Sequence, residues 1–161
     1  MAQESMKLVS PQMHGDSRMP RKYTADGQGA VKDVSPPLEW YAVPPDAVTL
    51  ALVVEDIDGL DDPLVPWTHW IVVNIPPSAK GLPEGFSGGN ADNLAGVKEG
   101  VNDWKVPSWR GPKPPPDGHR IRFRLYALDC DLQLGNKVTK EKVLEAVESH
   151  VVGEADLIVL F

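Results

Sequence analysis

The stretch Arg110–Asp129, RGPKPPPDGHRIRFRLYALD, constrains the fold more than any other part of the chain. Its first half can be neither helix nor ladder. Gly111, Pro112, Pro114, Pro115, Pro116 and Gly118 follow in close order, and each proline removes an N–H donor and fixes φ. From Arg120 the pattern alternates, with Ile121, Phe123, Leu125 and Ala127 on one face and Arg120, Arg122, Arg124 and Tyr126 on the other. A period of two predicts a half-buried strand. His119 therefore stands where a stiff loop meets a strand, and the prolines lower the entropy of the unfolded loop that holds it.

Two further runs read as buried strands. Val48–Val54, VTLALVV, is apolar without interruption, the pattern of a strand covered on both faces. It runs directly into Glu55, Asp56, Ile57 and Asp58. Carboxylates so placed are costly unless they meet solvent, donors or a cation. By themselves they read as an acidic turn in which Asp56 and Asp58 cap backbone N–H groups. Trp70–Ile75 predicts the second buried strand, with His69 just before it as His119 stands before its own. Two histidines at strand starts, each after a proline-containing loop, can converge at one end of a sheet.

The rest of the chain is less marked. Met6–Val9 can form a first strand, and Pro76–Ser108 is a long, turn-rich excursion of the kind that is either functional or locally structured. Trp104 and Trp109 within and after it either line a pocket rim or staple the loop to the core. The pattern predicts one clear helix, Thr139–Val152, with Thr139 as N-cap, Val143, Leu144, Val147 and Val151 on one face and Gly153 as the stop. Glu154–Phe161 then closes the chain as a strand. His14 and His150 read as solvated or capping residues, and Cys130 as a small hydrophobe beside a strand end.

Composition bounds the function. The 161 residues, 42% hydrophobic and 24% charged, suit a single domain spanning 1–161. The 16 prolines and 14 glycines punctuate apolar runs and so read as turns in a strand-rich fold. A net charge of −7 argues against a nucleic-acid binder and leaves any anion to be captured by a local pocket. One cysteine allows no intrachain disulfide, and neither a signal peptide nor a transmembrane run is evident. The expected location is the cytoplasm, with nuclear access open to so small a protein.

Three ordered motifs carry a family resemblance. GPKPPPDGHRIRFRLYAL is similar to the GP-x-PP-x-G-x-HRY-x-F-x-LYAL motif of the phosphatidylethanolamine-binding protein family. Asp56-Ile57-Asp58, with His69 before its hydrophobic strand, resembles that family's DPD-x-P block and the histidine following it. YTADGQGAVKDVSPPLEW resembles the opening block Y-x-x-x-G-x-x-x-SPPL-x-W. Together they span Tyr23 to Asp129, and the short C-terminus is more similar to the bacterial-type branch than to the mammalian one. The chain departs from the pattern where Ile57 replaces a proline and where Ile121 replaces an aromatic residue that helps bind ligand in many relatives.

The resemblance implies a mainly β, Greek-key-like sandwich with one or two short α-helices. It also implies a ligand site made of Asp56, Asp58, His69, Gly111, Pro112, Pro115 and His119, with Trp67 and Trp109 as rim. The implied ligand is a small anion such as phosphate or phosphorylethanolamine. Imidazoles and loop N–H groups would donate to phosphate oxygens while the carboxylates orient the imidazoles. The expected role is that of a non-catalytic binding module regulating signalling through a protein partner, without cofactor or metal. Two alternatives stand beside it. One is a metal-dependent hydrolase using the Asp/His cluster; the other is a steric protease inhibitor acting through a loop within Gly81–Gly100.

Overall fold

The computed structural model describes residues 5–15, 17–25, 33–58, 67–87, 96–112, 119–135 and 137–161. Its centre is the apolar run singled out above. Strand β3 (Thr49–Asp56) is buried at all eight positions, because antiparallel neighbours flank it on both edges and both of its faces are covered. β4 (Trp67–Ile75) pairs with one edge and β7 (Arg120–Leu128) with the other. β6 (Lys98–Gly100) and β8 (Val151–Leu160) complete a five-stranded sheet in the order β6-β4-β3-β7-β8. A smaller sheet joins β1 (Lys7–Val9), β2 (Leu38–Tyr41) and β5 (Gly81–Leu82).

The chain runs from β4 across to β5 in the small sheet, back to β6, and then returns at β7 beside β3. That path is the Greek-key-like sandwich expected, with a single α-helix among the described residues. The alternation of β7 divides the apolar side chains. Ile121, Phe123 and Leu125 join Leu50, Leu52, Val54, Trp70 and Val72 to pack against Leu8, Leu38, Trp40 and Leu82 of the small sheet. On the opposite face Ala51, Val53, Ile71 and Val73 meet Val143 and Val147 of the helix α1 (Lys140–Val147). Burying each such large side chain favours the fold by roughly 1.5–3 kcal/mol.

Several boundaries differ from those the sequence suggested. The helix is shorter: Thr139 caps it, its Oγ1 accepting from the Lys142 N–H at 3.3 Å, but it ends at Val147. Ser149 then takes a left-handed φ of 74°, which reverses the chain, so Val151 begins β8 and is not a helix-face residue. Gly153 lies inside β8 and stops nothing; a Cβ there would sit 2.8 Å from Pro44 Cγ. β4 begins at Trp67, which places His69 within the strand and not before it. Of the long excursion, β5 and β6 are the described strands, and residues 88–95 of the proposed inhibitory stretch lie outside the described residues. No helix among the described residues is long and apolar enough to cross a membrane.

Candidate functional site

The antiparallel order of the large sheet brings the end of β3, the starts of β4 and β7 and the end of β8 to one place. Asp56 is in register with both Trp67 and Ile121. His119, one residue ahead of β7, exchanges both backbone hydrogen bonds with Phe161 at 3.1 and 2.9 Å. The two histidines reach this end by different means.

His69 gets there through a β-bulge. Glu55 pairs with Thr68 and Val54 with Trp70, so His69 is the extra residue in β4. Such a residue is turned out of the regular in–out alternation. Its ring lies 6.4 Å from those of Trp109 and Phe161 and 5.0 Å from that of Trp104. Nδ1 donates to the Arg110 carbonyl at 2.8 Å, since a carbonyl can only accept. Neutral His69 therefore carries its lone pair on Nε2. Burial, with only 3% exposed, pushes the imidazole below the ordinary histidine pKa, against the smaller opposing influence of the Arg110 carbonyl, Asp56 and Asp103.

His119 is fixed by a carboxylate. Its Nδ1 donates to Asp56 Oδ2 at 3.0 Å, and its ring stands edge-on to Phe161 at 5.7 Å. Asp56 is itself 5% exposed, and its other oxygen accepts from the Asp58 N–H at 3.0 Å, the capping turn read from the sequence. The Phe161 ring thus neighbours both imidazoles, and the Nδ1 atoms of both are committed. Among the described residues neither Nε2 has a protein partner.

Asp58 is not aimed at an imidazole. It accepts from the backbone N–H, Nε and Nη2 of Arg120 at 2.9, 2.9 and 2.8 Å. Those bonds hold its carboxyl below the usual range. At Ile57, where the family pattern has proline, the N–H donates to the Arg120 carbonyl at 3.1 Å, a bond a proline could not make. Ile121 is fully buried and belongs to the apolar core between the two sheets.

Gly111 and Pro112 brace the site and do not present donors to it. The Gly111 N–H is taken by Asp33 Oδ1 at 2.9 Å, and Pro112 has none to give; its carbonyl accepts from the Ala25 N–H at 3.0 Å. A Cβ on Gly111 would lie 2.3 Å from the Tyr23 carbonyl oxygen, so glycine is required by this close backbone approach. Trp109, expected at the rim, is 4% exposed. It stacks on Phe123 and donates from Nε1 to the Tyr23 carbonyl at 3.1 Å, which makes it a staple to the core. The exposed aromatic side is Trp67, edge-on to Trp104, over which the Arg110 guanidinium lies at 5.2 Å. Pro115 lies outside the described residues.

Sequence reasoning missed Phe161, the Arg110 carbonyl and the bulge. Phe161 reads only as the end of an alternating strand, and nothing in the sequence marks the other two.

A two-sheet antiparallel fold with a polar cluster at one sheet end defines the class. The family model for phosphatidylethanolamine-binding protein matches residues 9–161. A UPF0098 protein of Methanothermobacter thermautotrophicus is 45% identical over 157 residues, covering 97% of this chain and 98% of the relative. Another, from Chlamydia pneumoniae, is 38% identical with 94% and 95% covered. The crystal structure of a phosphatidylethanolamine-binding protein homologue from Chlamydia trachomatis superposes with a TM-score of 0.82 at 35% identity, covering 98% of this chain and 97% of that one. An Escherichia coli structure described as a new member of the mammalian family shares the fold alone, with a TM-score of 0.84 at 22% identity and 98% of each chain covered. The chain belongs to the phosphatidylethanolamine-binding protein family, in its bacterial and archaeal type.

Proposed function

We propose that this protein is a non-catalytic binder of a phosphate-bearing small ligand, held between His69 and His119. The observation that carries the proposal is the shared arrangement of the two rings. Each Nδ1–H is tied to a fixed acceptor, neither Nε2 has a protein partner among the described residues, and both rings neighbour Phe161. Neutral rings so arranged accept through Nε2, so a phosphate binds by bringing its own proton or by drawing one onto an imidazole. Either route makes phosphate affinity fall as pH rises, and the buried His69 contributes as an acceptor at neutral pH.

Support for binding over metal-dependent hydrolysis comes from the donor set. Among the described residues Asp56, Asp58, His69 and His119 do not bring three ligand atoms within 4.8 Å of one another. Asp58 is held by Arg120 besides. Phosphate is the shared chemistry of a lipid headgroup, a free anion and a phosphorylated segment of a partner whose signalling the protein would regulate. An NMR titration of the histidine rings with inorganic phosphate, phosphorylethanolamine and a phosphoserine peptide separates these sources. Joint shifts of His69 and His119 that persist in EDTA are expected. Shifts that vanish with EDTA would move the assignment to a metal site, and no shift would end it.

A further inference from the structure

At the other end of the large sheet a second set of ligating side chains converges. Asp129, Cys130 and His150 place a carboxylate oxygen, a thiol sulfur and an imidazole nitrogen all within 4.8 Å of one another, the one such grouping among the described residues. Two separate segments supply them. Asp129 and Cys130 follow β7, and His150 directly precedes β8.

The backbone holds these segments together. The Asp129 N–H donates to the His150 carbonyl at 3.0 Å, and the Cys130 carbonyl accepts from Thr49 Oγ1 at 2.8 Å. The His150 ring already meets Asp129, Nδ1 to Oδ1 at 2.8 Å, with both side chains nearly half exposed. Cys130 is partly exposed, so an ion can reach all three.

We propose that Asp129, Cys130 and His150 form a site for an exchangeable borderline divalent transition metal, of which zinc is the type. Thiolate and imidazole ligands select such ions over magnesium and calcium, which take oxygen donors. Three protein ligands leave a fourth tetrahedral position to water. On binding, the thiol gives up its proton to solvent and forms a sulfur–metal bond. The neutral imidazole moves its proton from Nδ1 to Nε2 and ligates through the freed nitrogen, so the Asp129–His150 hydrogen bond is replaced by two bonds to the ion. This site is separate from the His69–His119 cluster and stands whatever that cluster binds.

The test uses the full chain, kept reduced with a non-thiol reductant. Cobalt(II) is titrated in and the thiolate-to-cobalt charge-transfer absorption followed; zinc affinity is then measured by competition with a chromophoric chelator. One ion per chain is expected, undisturbed by excess calcium. Cys130→Ser should abolish the charge-transfer band. Cys130→Ser and His150→Gln should each weaken zinc binding by at least the roughly 10–100-fold that loss of an outer-shell partner costs. His119→Gln should leave both signals unchanged. Absence of the band, zinc affinity unaltered in both variants, or loss of binding in His119→Gln would each overturn the proposal. His150→Gln keeps the test decisive if Cys130→Ser does not fold.

Discussion

The large sheet carries a histidine–aspartate pair at each end, and the two pairs are nearly alike in bond length. His119 and Asp56 meet at 3.0 Å, His150 and Asp129 at 2.8 Å. Their surroundings differ. The first pair is 18% and 7% exposed and lies beside Phe161, while the second is 47% and 45% exposed. A hydrogen bond exchanged for one with water is worth little, whereas the same bond away from water leaves an expensive orphan when one partner is removed. The difference teaches that burial, and not the pair itself, makes the β3–β7 end the place where losing one partner is costly.

The sharpest way to break the comparison is to remove each carboxylate in turn. Asp56→Ala should destabilise the fold by about 1–3 kcal/mol, because it orphans the His119 Nδ1–H and uncaps the Asp58 N–H. Urea melts will read it. The equivalent change at the other end belongs last in the order of effects.

Next comes Ile57→Pro, which restores the residue of the family pattern. It should cost about 1 kcal/mol, since the lost N–H bond to Arg120 outweighs the stiffer unfolded chain. A stabilised variant would show that the bond at the end of β3 contributes nothing.

A smaller, pH-dependent effect follows from His69. Its folded pKa is lowered by burial, so the stability it contributes is fully present above the unfolded value of 6.5. It is lost as pH falls through the folded value. Thermal melts of wild type and His69→Gln should therefore converge or cross as pH drops below about 6.5. Parallel curves would mean that the ring is not held neutral. Last, Asp129→Ala in metal-free buffer should change stability by about 0–1 kcal/mol; a loss equal to that of Asp56→Ala would erase the contrast between the two ends.

Much of this was legible in the sequence, and the reason is periodicity. The alternation Ile121–Ala127 and the apolar run before Glu55 mark β7 and β3, and antiparallel pairing then brings Asp56, His69 and His119 to one end. What was not legible depends on pairs distant in the chain. A bulge is a property of register between two strands, so His69 looked like a residue ahead of β4. Asp58 turned to Arg120, and Gly111 gave its N–H to Asp33, through contacts that no local pattern encodes. The helix was read too long because Val151 continues its stripe, and only the left-handed turn at Ser149 ends it.

The most direct test of the account is the tautomeric state of His69 and His119, read from long-range proton–nitrogen correlations at neutral pH with and without inorganic phosphate. The account predicts the Nδ1–H form for both rings in free protein, with phosphate shifting both Nε2 resonances together. An Nε2–H form at either ring, or Nε2 signals that phosphate leaves unmoved, would contradict it.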